Sequence, residues 1–487
     1  MSMGFATRTG LLFALALMTL GATPNENGVV RLLEQMRGAS GPVWQAHIVS
    51  VARLSFNGEP SVVSSESEGL RVSVKHCVGE VCDGTYFDGE RVYSFNMNGT
   101  MVAPSQEEEP YLRALRIVAS LEFLTPSFFE RGGRVGAARD ATFDGRPYRT
   151  VVVDETKAVP LRLFVDPQSG LVRYARSLDG RETFEYRSYR RIGAFTLPFE
   201  VLHDGRIFER YDNRAAVSSA FHPPHGLLPT FSGTPDAVPT DPKAVTPIVD
   251  CTIGGIAVRC LIDTGNSGLS LSAELASRLG APVVGTYQVR GLGGYSTQVV
   301  RAGPLRIGNA AYPEAYYIVL NDLRRYGYDA VLGADLLGAP GLEIDSAAHT
   351  VRLAAPPLKN AITVPLTFEH FVPIVSVGLG EIQTQLAVDT GDESNVNLAY
   401  DFYAKHPGLF SVTQRRTVGG IGGTSIEMIG EISEVRIGGY RTGPQRIGTT
   451  QTLQGTAFGH LGAAFLDQFV VQLDYAAGEL RLVPRRG

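Results

Sequence analysis

Residues 261–270, LIDTGNSGLS, decide the reading of this chain. An apolar run enters an Asp-Thr-Gly triplet and leaves through a small, polar loop. One such triplet is in most chains only a turn. Here a second follows 126 residues later, in residues 387–394, AVDTGDES, so Asp263 has a counterpart in Asp389.

The flanks repeat as well. Residues 249–268 (VDCTIGGIAVRCLIDTGNSG) and 375–394 (VSVGLGEIQTQLAVDTGDES) both read as a strand, a Gly-centred turn and a β-branched strand that runs into the triplet. Downstream, VRGLGGYSTQVV begins 26 residues after Asp263, and TVGGIGGTSIEMI begins 28 after Asp389. AVLGADLL then places Gly333 70 residues after its Asp, and GHLGAAFL places Gly462 73 after its own. Four features in one order at nearly one spacing make a duplication, not two chance turns.

This pattern resembles the pepsin/retropepsin superfamily of aspartic proteases. In that family each lobe carries a hairpin, a catalytic Asp-Thr-Gly loop, a Gly-rich flap and an apolar-apolar-Gly segment. LIDTG, GLGGYS and VLGADLL match these in the first copy, and AVDTG, GGIGGTS and HLGAAFL match them in the second. The resemblance implies two tandem retropepsin-like β-barrel lobes, at 243–356 and 357–487, docked as one pseudo-two-fold unit. It also implies an aspartic endopeptidase that acts on extended polypeptide, with Asp263 and Asp389 catalytic and no cofactor or metal. Two facing carboxylates cannot both ionise, so they share a proton and act as acid and base at one pH.

The surrounding loop residues are Thr264, Gly265, Asn266 and Ser267 in the first copy and Thr390, Gly391 and Asp392 in the second. Gly265 and Gly391 permit close backbone approach and offer N–H groups to the dyad. The resemblance implies that Thr264 and Thr390 bond across the lobes. Family members carry Ser or Ala after the triplet, whereas this chain has Asn266 and Asp392. If Asp392 and Glu393 face the dyad, they are expected to raise its apparent pKa values; facing solvent, they matter little. The flap positions are Gly293, Gly294 and Tyr295, and Gly422, Gly423 and Thr424. Neither Gly-rich stretch has the G-x-G-x-x-G form of a phosphate loop.

The 487 residues carry a net charge of -5, and nothing in that balance points to nucleic acid or an acidic membrane as partner. With 55 Gly and few long helical periodicities, the chain reads as mainly β. Residues 1–23, with Arg8 ahead of the apolar LLFALALMTL, read as a signal peptide, so the mature protein is expected to be exported, periplasmic or secreted, without a stable membrane span. The four cysteines form two local pairs suited to disulfides. A turn at Gly79-Glu80 sets Cys77 opposite Cys82, while a turn at Gly254-Gly255 makes Cys260 only a diagonal neighbour of Cys251.

Residues 28–215 read as one antiparallel sheet with one or two helices, an α+β domain whose pattern resembles the half-barrel of periplasmic lipoprotein carriers. That resemblance implies a lipid or a protein partner for this domain. Residues 220–242, rich in Pro, read as a linker, with His222 and His225 solvated in it rather than metal-bound. The expected protein is a monomer with intramolecular lobe pairing. Two other readings fit the sequence: a silent peptide- or partner-binding protein of the cell envelope, and a lipid or lipoprotein carrier with accessory protease-like lobes.

Overall fold

The structure, a computed structural model, describes residues 24–485 except 57–58, 106–107, 291–292, 322, 338–340 and 451–457. The signal-peptide reading of 1–23 lies outside the described residues. The chain is mainly β, at 51% strand and 14% helix. No helix among the described residues is long and apolar enough to cross a membrane.

The described chain divides into two compact units. The first comprises residues up to Val74, Phe87–Val92 and Glu107–His222. In it the helix Pro24–Ser40 sets Leu32, Leu33 and Met36 against Val151, Val153, Leu163 and Val165 of the sheet, with Ile117 of the helix Glu109–Ser120 in the same core. Strands such as Arg146–Asp154 and Leu161–Val165 pair antiparallel with their sequence neighbours. Leu161, Leu163 and Val165 are buried on one face of the sheet, and Phe164 is buried on the other with Tyr148 and Tyr174, so this strand is covered on both sides.

The second unit comprises Pro223–Gly487 and, from before the linker, Lys75–Tyr86 and Tyr93–Gln106. Fourteen of its strands carry the repeat. The first seven are β1 (Ile248–Ile253), β2 (Ile256–Ile262), β3 (Leu269–Ser272), β4 (Val283–Arg290), β5 (Gly294–Ala302), β6 (Ala315–Leu320) and β7 (Ala330–Leu332). The second seven are β8 (Val372–Leu379), β9 (Ile382–Asp389), β10 (Val396–Ala399), β11 (Gln414–Gly420), β12 (Gly423–Ile432), β13 (Gln445–Thr450) and β14 (Gly459–Gly462). The first sheet runs β1-β2-β7-β3-β6-β5-β4, and the second runs β8-β9-β14-β10-β13-β12-β11, the same order strand for strand. Gly254 and Gly255, both at positive φ, make the tight turn between β1 and β2.

A separate six-stranded sheet ties the two copies together. Leu342–Asp345 from the first copy pairs antiparallel with Phe469–Asp474 from the second. Their Leu342, Ile344, Val471 and Leu473 are buried in a core shared with β2 and β9. Part of the stretch read as a linker also enters these sheets. Thr230–Phe231 pairs with Ala310–Tyr312, and Ala237–Pro239 pairs with Thr350–Arg352. Val238 is 7% exposed, and its burial anchors a strand whose Pro sits at the end of an edge.

The segment from 93–106 holds a buried acid of the second unit. Asp335 is 1% exposed. It accepts hydrogen bonds from Asn96 Nδ2 (2.7 Å), Asn98 Nδ2 (2.6 Å) and Thr100 Oγ1 (2.6 Å). Asn96 Nδ2 also reaches Ser267 O at 3.0 Å, and Asn98 exchanges two bonds with the backbone of Tyr316. The Asn98-Gly99 turn sets these donors in a row, with Gly99 at positive φ.

Replacing Asp335 with Ala strands three buried donors and should cost about 3 kcal/mol, read from urea unfolding of the whole chain. A cut within residues 223–229, outside any strand, should leave both fragments co-eluting, because 93–106 stays bound around Asp335. Separation of the fragments in native buffer would contradict this account.

Candidate functional site

Both Asp-Thr-Gly triplets sit at the ends of apolar central strands, β2 and β9, where burial fixes the backbone. β7 runs parallel to β2 and antiparallel to β3, and β14 does the same between β9 and β10. Each of these third strands ends beside the loop at a glycine. A Cβ on Gly333 would lie 2.0 Å from Asn266 O, and one on Gly462 would lie 2.2 Å from Ser394 O. No side chain fits there, which explains why the apolar-apolar-Gly motif ends in Gly.

The loops are joined by reciprocal threonine bonds. Thr264 Oγ1 accepts from Thr390 N at 3.0 Å, and Thr390 Oγ1 accepts from Thr264 N at 3.1 Å. Each hydroxyl then donates to the other copy's strand, Thr390 to Ile262 O at 2.8 Å and Thr264 to Val388 O. Both residues are at most 2% exposed, so these four bonds form without competition from water.

This clamp presses each carboxyl group onto the opposite glycine. A Cβ on Gly265 would lie 2.5 Å from the Asp389 carboxyl, and one on Gly391 would lie 2.4 Å from that of Asp263. Asp263 Oδ1 accepts from Gly265 N at 2.8 Å, and Asp389 Oδ1 accepts from Gly391 N at 2.9 Å and Asp392 N at 3.1 Å. The two carboxyl groups also hydrogen-bond to each other. Burial, the charge of Asp389 and that shared bond push Asp263 well above the usual carboxylate range.

Asp389 moves the other way because of a residue that the sequence reading did not single out. Burial opposes its ionisation, but a hydrogen bond from His460 and the charge of that ring outweigh it and lower the Asp389 pKa. His460 Nδ1 lies 3.1 Å from Asp389 Oδ2 and 3.5 Å from Asp392 Oδ2. Burial disfavours the imidazolium, yet the bonds to the two carboxylates raise the His460 pKa to about 10. This corrects the expectation for the acidic loop. Asp392 does turn toward the dyad while Glu393 is exposed, but His460 pairs with it, so Asp389 is not raised. The signal was present as GHLG against AVLG, a His where the first copy has Val331.

The remaining loop residues have local roles. Asn266 Nδ2 bonds Ser270 Oγ at 3.2 Å rather than a carboxylate, and Ser267 Oγ lies 3.5 Å from Tyr287 Oη. The hairpins β4–β5 and β11–β12 bring their tips together: a Cβ on Gly293 would lie 2.3 Å from Gly422 O. Tyr295 and Ile421 pack in one apolar cluster with Val289, Leu323 and Val331, whereas Thr424 is exposed. Gly423 follows Gly422 into β12, and Gly294 opens β5.

Among the described residues, Asp389, Asp392 and His460 bring three metal-capable atoms within 4.8 Å, as do Glu182, His203 and Asp204. In the first group His460 Nδ1 faces a carboxylate oxygen of Asp389 and one of Asp392. Cys77 is bonded to Cys82, and Cys251 to Cys260. Cys251 faces Val258 in register, so the second bond is diagonal.

Thr264→Val keeps the volume but removes an acceptor from Thr390 N and a donor to Val388 O, and should cost about 3 kcal/mol in urea unfolding. Thr264→Ser, which keeps the hydroxyl, should cost about 1 kcal/mol or less. Comparison with known proteins bears on the first copy: residues 249–336 match the family model described as aspartyl protease, which supports an aspartyl protease-type domain there. No curated protein matches the chain.

Proposed function

We propose that this chain is an aspartic endopeptidase that hydrolyses peptide bonds with a water activated between Asp263 and Asp389. The observation that carries this reading is the pair of hydrogen-bonded carboxyl groups, each seated on the other loop's glycine. The match of 249–336 to aspartyl proteases supports it, as does the equal strand order of the two copies, which fits tandem retropepsin-like lobes.

With one proton on the pair, the ionised Asp389 takes a proton from the water as its oxygen bonds the carbonyl carbon. The protonated Asp263 gives its proton to the carbonyl oxygen, and the dyad still holds one proton. The tetrahedral diol then collapses: the C–N bond breaks, the nitrogen takes the proton held on Asp389, and a diol hydroxyl gives its proton to Asp263, which restores the starting dyad. Closed flap tips would exclude water during these steps, and their edge strands would pair with an extended chain.

The two local disulfides agree with an exported protein. Because 93–106 belongs to the protease unit, we assign the first unit a standing role, the recruitment of a lipid or protein partner, rather than that of a removable pro-region.

Cleavage of unfolded casein and of a mixed peptide library tests the reading. Asp263→Asn and Asp389→Asn should each lower kcat/KM by roughly 10³-fold or more, with folding retained by circular dichroism. A statine-type transition-state analogue should block the wild-type protein. Undiminished cleavage by either variant would assign the activity elsewhere.

A further inference from the structure

The two copies differ at two places that touch each other. The register Leu261↔Val331 in the first copy corresponds to Ala387↔His460 in the second, so His460 stands where the first copy has Val331. Asn266 and Asp392 are likewise equivalent, each three residues after its Asp and each with its backbone carbonyl bonded to the residue after the threading glycine. In the first copy this pair is neutral: Val331 is 1% exposed in an apolar cluster, and Asn266 turns to Ser270. In the second copy it is a base and an acid, 3.5 Å apart, and the base also reaches Asp389.

We propose that His460, held by Asp392, is a positioning residue that breaks the symmetry of the dyad, keeping Asp389 as the ionised carboxylate and leaving the shared proton on Asp263. The proposal rests on the aspartic peptidase reading and adds which carboxyl group is the base. An exposed histidine would lose its charge near neutral pH, but this side chain is 20% exposed between two carboxylates that stabilise its charge. The groups facing the ring are Asp389 at the end of β9 and Asp392 in the following loop, with Asp263 beyond Asp389. On β10 the residue in register is the neutral Asn397. Among the described residues, His460 is the one cationic side chain within ion-pair distance of these three carboxylates.

A fixed positive charge beside Asp389 lets the first proton of the dyad leave at lower pH, so the acid limb of the activity profile lies low. Removing that charge raises the limb, and the unpaired Asp392 raises it further. The alkaline limb reports loss of the proton from Asp263, which is farther from the ring, and it should not fall.

The test compares kcat/KM against pH for the full chain with His460→Gln, His460→Val and the double variant His460→Val/Asp392→Asn, which gives the second copy the residues of the first. Both single variants should shift the acid limb upward by about one pH unit, a tenfold loss on that limb, and the double variant should recover part of it. Acid limbs that coincide with wild type would overturn the proposal, since a residue that merely fills space would give that result. Carboxyl ¹³C and imidazole ¹⁵N shifts read the same assignment without turnover and without a variant. Asp263 protonated, Asp389 ionised and His460 doubly protonated at neutral pH would support it. A neutral His460, or a proton on Asp389, would overturn it. A wild-type protein with the supporting NMR pattern that cleaves no polypeptide would instead sink the peptidase reading and leave the proton assignment standing.

Discussion

The constraint on which the site depends is the clamp between Thr264 and Thr390. Each backbone N–H and each hydroxyl of the pair is satisfied by the other copy, deep in a core where an unpaired group is costly. Neither loop can form this arrangement alone, so the two triplets must meet. Once they meet, the absence of a Cβ on Gly265 and Gly391 lets each carboxyl group lie against the facing backbone. The electrostatic consequence is that two half-buried acids brought this close oppose each other's ionisation. The shared six-stranded sheet supplies the apolar area that holds the copies in this register.

On this near-symmetric frame the chain places asymmetric polar groups. The second copy has His460 and Asp392 where the first has Val331 and Asn266. The first has Asp335, bonded to Asn96, Asn98 and Thr100, where the second has Ala464. A symmetric dyad has no physical reason to prefer one carboxyl group as base, whereas a fixed imidazolium on one side provides one. The Asp335 cluster acts at a different level. It ties a segment that precedes the linker to the loop after Asp263, through the Asn96 bond to Ser267 O. Unfolding of that segment is thereby coupled to the order of the site.

Much of this was legible in residue order. Period-2 burial, Gly-centred turns and the duplicated triplet mark the strands and the two copies, because strand alternation and glycine's φ freedom are local properties. The neighbours of Thr264 and Gly265 were readable only through the duplication, since a single triplet does not say what it faces. The stretch 220–242 shows a limit of composition: its prolines suggest a free linker, yet Val238 is buried and its neighbours pair as a strand.

The sequence by itself determined that two equivalent Asp-Thr-Gly loops exist, each between strands that must be buried, and that four cysteines lie in two hairpin-scale pairs. Tertiary structure alone decided three things: that the carboxyl groups touch, that His460 pairs with Asp389 and Asp392, and that Asn96, Asn98 and Thr100 surround Asp335. The reason is distance along the chain. His460 lies 71 residues from Asp389, and Asn96 lies 239 from Asp335. Hydrogen bonds and charge interactions act over a few ångströms, so such partners are chosen by the path of the folded backbone, and the local pattern of residues does not say which groups will meet.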